Sequence, residues 1–204
     1  MKLYVADYAP NPRRVRWVLN EKGVTDIELV TLDIMKLEHK SHDIVARSGA
    51  SNLPVLELDD GSVIAESVAI GRYLESLYPK PNLFGSDARE IAEIEMWTRR
   101  LEQTLATPLM HGARMTYPGL AVLEEPNPDA AAYMLKLAAD HLKALDVHLE
   151  GRDFIAAGRF TIADIITVCA LDFARIIRFR PDKSLENIAR WLEAARVRPS
   201  KPAA

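Results

Sequence analysis

NLPVLELDDGSVIAESVAIGRYLE, residues 52–75, decides the fold. Pro54 lacks an amide donor, so it belongs at a strand beginning or an edge. Val55 to Leu58 and Val63 to Ala65 flank Asp59-Asp60-Gly61, and an Asp-Gly pair between apolar runs predicts a tight hairpin. The next residues change period: Glu66 to Leu77 reads as an amphipathic helix, ended by Pro79 and Pro81. A cis bond at Leu53-Pro54 would turn the backbone N–H and C=O of Leu53 toward an extended peptide. Ser67 at a helix N-terminus suits a carboxylate, and Glu66 beside it suits an ammonium group. Taken alone, each has a plainer reading, an edge-strand proline and a helix cap.

Working back from this stretch, Leu3 to Ala6 is a strand, and Asn11-Pro12 predicts a helix start with Asn11 as N-cap. Val15, Val18 and Leu19 keep helical spacing until Gly23, and Ile27 to Leu32 forms a second strand. The order strand, helix, strand, short helix, hairpin, helix implies a small α/β unit with a mixed sheet. The turn from Tyr8 to Arg14 lies where ligands of open α/β sheets sit, at the carboxyl end of a strand. Tyr8 or Asn11 could donate to an anion there; a capping turn with solvated Arg13 and Arg14 is the plain alternative.

Working forward, YPKPNLFG (residues 78–85) is a linker, and the chain beyond it is nearly all helical. Helices are expected from Asp87 to about Tyr117 with a break at Pro108, from Ala130 to about Leu149, from Thr161 to Ile177 and from Ser184 to about Val197. Thr161-Ile-Ala-Asp164 is a capping box with Asp in place of Glu or Gln, a structural device with no chemistry of its own. The tail RPSKPAA reads as loose.

Composition narrows the function. The 204 residues carry 26 Lys and Arg against 29 Asp and Glu, spread so that neither part is a basic patch. Duplex nucleic acid is therefore not expected as a partner. Cys169 is the single cysteine, which excludes an internal disulfide or a CxxC pair, and the five histidines form no HExxH pattern, so no metal is expected. No signal-peptide core and no 18-residue apolar run is present, so a cytoplasmic location and no membrane partner are expected.

These motifs together resemble the cytosolic glutathione S-transferase family. Residues 52–75 are similar to the glutathione-binding half of its thioredoxin-like domain, residues 160–175 (FTIADIITVCALDFAR) to the capping motif and core helix of its helical domain, and residues 1–23 to its opening strand-turn-helix. The opening is nearest to bacterial members related to the theta and nu groups. The resemblance implies a βαβαββα thioredoxin-like domain over residues 1–78, a linker over 79–86 and an all-α domain over 87–204. It implies glutathione as co-substrate and a homodimer, with Arg72 and the helix Asp87 to Arg100 as contacts.

The resemblance also implies a site. Leu53, before Pro54, would pair with the cysteinyl backbone of glutathione, Glu66 and Ser67 with its γ-glutamyl end, and His39, with Lys40 and Asn52, with its glycyl carboxylate. Ala9 stands where theta-like members carry a serine, which leaves Asn11, Tyr8 or a backbone donor to hold the thiolate. Trp97, Met110, His111 and Tyr117 are expected to line the site of a small hydrophobic electrophile. The expected activity is conjugation of the glutathione thiolate to that electrophile. Glutathione-dependent disulfide or peroxide reduction and a non-catalytic binding or regulatory role are the alternatives. Two departures stand out: Ser48-Gly49 and Ser51 replace the residues usual in the loop before Leu53.

Overall fold

Val55–Glu57 (β3) and Val63–Ala65 (β4) form the antiparallel hairpin, with Val55 opposite Ala65. The structure, a computed structural model, describes residues 1–49 and 51–198. β3 also pairs antiparallel with Lys2–Val5 (β1), which runs parallel to Glu28–Thr31 (β2), giving a four-stranded mixed sheet in the order β2-β1-β3-β4. Alternation along central β1 is clean: Leu3 and Val5 have no exposed surface, while Lys2 is exposed. Pro10–Glu21 (α1) crosses from β1 to β2, His42–Ser48 (α2) precedes the hairpin, and Ser67–Leu77 (α3) follows it. α1 and α3 pack together, and Val15 and Val18 of α1 and Ile70 and Leu74 of α3 are buried. Lys22, at the end of α1, pairs with Glu75 of α3 at 2.7 Å and donates to the carbonyls of Tyr78 and Pro81. Its side chain has no exposed surface, so these oxygens replace the water it lost.

The chain divides into two compact units, whose described parts are Met1–Pro81 and Asn82–Arg198. The division falls inside the expected connection 79–86. Residues 82–86 are bound to the helical unit: Arg159 donates to the backbone and side-chain oxygens of Asn82 and to Glu90.

The helical unit contains Ala88–Leu101 (α4), Thr107–Thr116 (α5), Pro128–His148 (α6), Ile162–Phe173 (α7) and Glu186–Arg196 (α8). The break expected at Pro108 is a π turn, Glu102–Ala106, in which Thr107 N–H bonds to Glu102 O. The wider turn absorbs the missing donor and the ring without interrupting the helix. α7 is shorter than expected: Ala174–Ile177 tightens into a 3-10 turn, which Arg178 ends with φ of 61°. The expected loose tail, residues 198–204, lies outside the described residues from position 199 onward. No helix among the described residues is long and apolar enough to cross a membrane.

Asp164 organises this unit. It is fully buried, and its carboxylate accepts Thr161 N–H at 2.9 Å, Thr161 Oγ1–H at 3.2 Å, Ile155 N–H at 3.1 Å and Trp191 Nε1–H at 2.8 Å. One side chain thus caps α7, fixes the preceding loop and anchors α8. Burial raises its pKa from the ordinary 3.8 to about 6, against the opposing pull of the four donors. A raised carboxyl pKa means that the fold favours the protonated form. Its share of stability is then fullest below pH 3.8 and falls as pH rises through about 6. Asp164→Asn turns an amide NH2 toward donors and is expected to cost about 2–4 kcal/mol. The gap between wild type and variant, followed by thermal unfolding, is expected to narrow from pH 4 to pH 7.

Candidate functional site

The sheet register brings three chain segments to one end. β1 ends at Val5, β3 begins at Val55 opposite Tyr4, and β4 ends at Ala65 opposite Val55. The turn into α1, the Leu53-Pro54 bond and the start of α3 therefore meet at one edge of the α/β unit.

At the first segment the helix begins earlier than expected. Ala9 is extended, as a residue before proline prefers to be, and caps α1 without a side-chain bond, while Pro10 takes the first helical position. Asn11 therefore lies inside the first turn and is not its N-cap. Pro10 and Pro12 carry no amide hydrogen, and Arg13 N–H already bonds to Ala9 O. The positive end of α1 is thus reduced to one open backbone donor, Asn11 N–H. The Asn11 side chain lies beside it with Oδ1 buried and without a hydrogen-bond partner among the described residues. Tyr8 has φ of 62° and is 97% exposed, so its side chain stands in solvent.

At the second segment Leu53-Pro54 is cis, and Leu53 lies outside the ladder, which begins at Val55. Glu66 has φ of 71° and ψ of 122°, a backbone region that a residue with a Cβ rarely occupies and that costs about 1–3 kcal/mol. No side chain caps α3, and its first intrahelical bond runs from Ile70 N–H to Glu66 O. The amides of Ser67 and Val68 are left as donors at a helix N-terminus. Ser67 is buried and its Oγ accepts from Arg14 Nη1 at 3.3 Å. With its oxygen engaged as acceptor, the hydroxyl keeps its proton for an anion.

The plain alternative for this turn had Arg14 solvated. Arg14 is 2% exposed, not solvated, and links α1 to the start of α3. Its position on α1 beside Val15 and Val18 was the available signal, because a face shared with core residues turns inward.

The remaining residues are more scattered. His39 is buried on a 3-10 turn, Glu38–Lys40, whereas Lys40 and Asn52 are exposed. In the helical unit, Trp97 stacks on His148 with ring centroids 4.1 Å apart and Arg100 over its ring, so it is a packed residue. Met110 is half-buried on α5. His111 Nδ1 lies 2.7 Å from Glu124 Oε1. Tyr117 lies in an open cleft of about 400 Å³ with Thr116, Leu135, Ile176, Ile177 and Arg178. Among the described residues no three His, Cys, Asp or Glu side chains are grouped to hold a metal ion.

The lone open amide at Asn11 has a direct test. Ala9→Ser supplies an acceptor for that N–H and is expected to stabilise α1 by about 0.5–1 kcal/mol. The unfolding midpoint should then rise by roughly 1–4 °C in a thermal melt.

Comparison with known proteins places the whole chain. The family model of the glutathione S-transferase N-terminal domain matches residues 8–77, and that of the C-terminal domain matches residues 105–199. Glutathione S-transferase 2 of Saccharomyces cerevisiae is 32% identical over 98% of this chain and 87% of its own length. Glutathione S-transferase 3 of Zea mays is 32% identical over 98% of this chain and 90% of its own. Among solved structures, a glutathione S-transferase domain-containing protein of Marinobacter aquaeolei superposes with a TM-score of 0.93 at 35% identity, covering 98% of this chain and 99% of that one. With both domain models matched in order and relatives aligned along nearly their whole length, the chain belongs to the glutathione S-transferase family.

Proposed function

We propose that the protein is a glutathione transferase that conjugates the glutathione thiolate to small hydrophobic electrophiles, working as a cytoplasmic homodimer. The observation that carries this reading is the pair of uncapped helix N-termini at one sheet edge, with Asn11 at one and Ser67 at the other. Glutathione has a zwitterionic γ-glutamyl end, a thiol and a glycyl carboxylate. Ser67 Oγ–H and the first amides of α3 would take the γ-glutamyl carboxylate, and exposed Glu66 the ammonium group. Leu53 would pair its backbone with the cysteinyl residue, and His39, Lys40 and Asn52 would take the glycyl end. Asn11 N–H and the side-chain amide of Asn11 would donate to the sulfur.

Donors aimed at sulfur stabilise thiolate over thiol, so the proton leaves to solvent and the anion is the nucleophile. The thiolate forms a C–S bond to the electrophilic carbon, and for an aromatic halide the halide departs with its bonding electrons. Met110, His111 and Tyr117 are proposed to contact the electrophile; Trp97, stacked on His148, is proposed to support that surface. A second reading, a glutathione-binding protein without turnover, is favoured by Ala9, which puts no hydroxyl at the N-cap of α1.

Kinetics with an aromatic halide, beside calorimetry with glutathione, separate these readings. Asn11→Ala is expected to cut turnover about 10- to 100-fold while changing the Kd of glutathione by no more than about twofold. Unchanged turnover would remove Asn11 from this role. Arg14→Gln is expected to raise that Kd about tenfold with little change in kcat, because it frees the Ser67 oxygen from its donor. Binding without turnover on any electrophile would favour the second reading, and a monomer in sedimentation would exclude the homodimer.

A further inference from the structure

The loop that leads toward α7, residues 151–158, forms a cavity of about 240 Å³ with Glu93 of α4. Every residue of its wall belongs to the helical unit. Glu93 ties the loop down by accepting Ala157 N–H at 3.1 Å with Oε1. Its other oxygen, Oε2, has no partner among the described residues. Arg152 lines the same cavity, and its guanidinium is also without a partner among the described residues. The third charged residue of the wall is matched: Asp153 pairs with Arg190 at 3.3 Å. One carboxylate and one guanidinium thus share a wall, paired neither with each other nor with another described group.

The backbone of the loop adds open donors. Ala156 is 2% exposed, and its N–H makes no hydrogen bond among the described residues. A buried amide without an acceptor is rare, because it has lost water and gained nothing in its place. Its neighbours on both sides are satisfied: Ile155 N–H bonds to Asp164 and Ala157 N–H to Glu93. Gly158, exposed at φ of 62°, offers a second N–H that no described residue accepts. The volume falls below the roughly 300–1,000 Å³ of pockets that hold drug-sized ligands, so the occupant is smaller than these.

We propose that this cavity binds small free α-amino acids such as alanine, the ammonium group on Glu93 Oε2 and the carboxylate on the Arg152 guanidinium and the amides of Ala156 and Gly158. A plain anion would meet the Glu93 carboxylate, and a plain cation would meet the Arg152 guanidinium. A zwitterion matches both charges at once, and its carboxylate gives the Ala156 amide the acceptor that it lacks. Ile155, next to that amide, donates to Asp164, so an occupant braces the loop that Asp164 also holds. A ligand that binds the folded chain alone raises its unfolding midpoint. The site stands independently of the transferase reading.

The test is calorimetry on the full chain at fixed ionic strength with three ligands: L-alanine, N-acetyl-L-alanine, which lacks the ammonium group, and L-alaninamide, which lacks the carboxylate. L-Alanine is expected to bind about tenfold more tightly than either, and to raise the midpoint of a thermal melt. Glu93→Gln keeps an acceptor for Ala157 N–H but removes the charge. It should weaken L-alanine about tenfold and erase its margin over the acetylated form. Arg152→Gln, at an exposed position, should erase the margin over the amide. Equal binding of the three ligands would overturn the proposal. So would no binding of L-alanine, the result for a cavity that holds water alone. L-Alanine bound elsewhere on the chain would keep both margins in both variants, and that outcome would overturn it as well.

Discussion

A guanidinium with 2% of its surface exposed cannot be held in a fold without oxygen acceptors, and Arg14 gives one of its donors to Ser67. That bond joins the second turn of α1 to the first residue of α3, the two helices whose N-termini meet at the edge of the sheet. It fixes the separation of those termini more firmly than apolar contact between helices does, because a hydrogen bond has a length and a direction. It also decides the chemistry of Ser67. A serine hydroxyl is both donor and acceptor; with Arg14 donating to the oxygen, the hydroxyl still has a proton to donate. Arg14 is therefore a positioning residue, and it adds a fixed positive charge beneath a place suited to a carboxylate.

The parts of the fold that were legible in the sequence are those governed by local rules. Asp60-Gly61 between two apolar runs marked the hairpin, and the period change after Ala65 marked α3. Thr161 and Asp164 marked the start of α7, but they did not reveal that the same carboxylate also takes Ile155 N–H and Trp191 Nε1–H. Those two bonds span 9 and 27 residues, and no local pattern encodes them. The start of α1 shows where local rules compete. Asn11-Pro12 is a good cap and first turn, yet Ala9-Pro10 is an equally good proline entry, and the earlier one prevailed. The outcome moved Asn11 from capping residue to open donor, a change of role produced by a shift of two positions.

Charge was the least legible property. Arg13-Arg14 and Arg175, Arg178 and Arg180 look alike as sequence, short basic clusters that would ordinarily be solvated. In the fold Arg14 is buried against Ser67, while Arg175, Arg178 and Arg180 remain exposed and pair with no carboxylate among the described residues. The difference lies in which face of the element each residue shares. Arg14 is flanked on α1 by buried Val15, Trp17 and Val18, whereas Arg175, Arg178 and Arg180 follow the end of α7 at exposed positions. The near-neutral total of −3 conceals both arrangements.

The distribution of helix caps carries the same point further. α4 is capped by Asp87, which accepts from the amides of Arg89 and Glu90, and α6 by Asn127, which accepts from Ala130 N–H. α7 has Asp164, and α8 borrows Asp146 of α6, which accepts Ile188 N–H at 2.9 Å. Of the helices longer than one or two turns that start afresh from a loop, α1 and α3 are left without a side-chain acceptor among the described residues. Each omission forgoes about 1 kcal/mol, and at α3 the unusual backbone of Glu66 adds to the cost. Both omissions fall at one edge of the sheet, the edge proposed to bind glutathione, and there an anionic ligand would complete the helices that the chain leaves open. A stability deficit at that edge is what a fold would retain if the missing acceptors were supplied by the molecule it is proposed to bind.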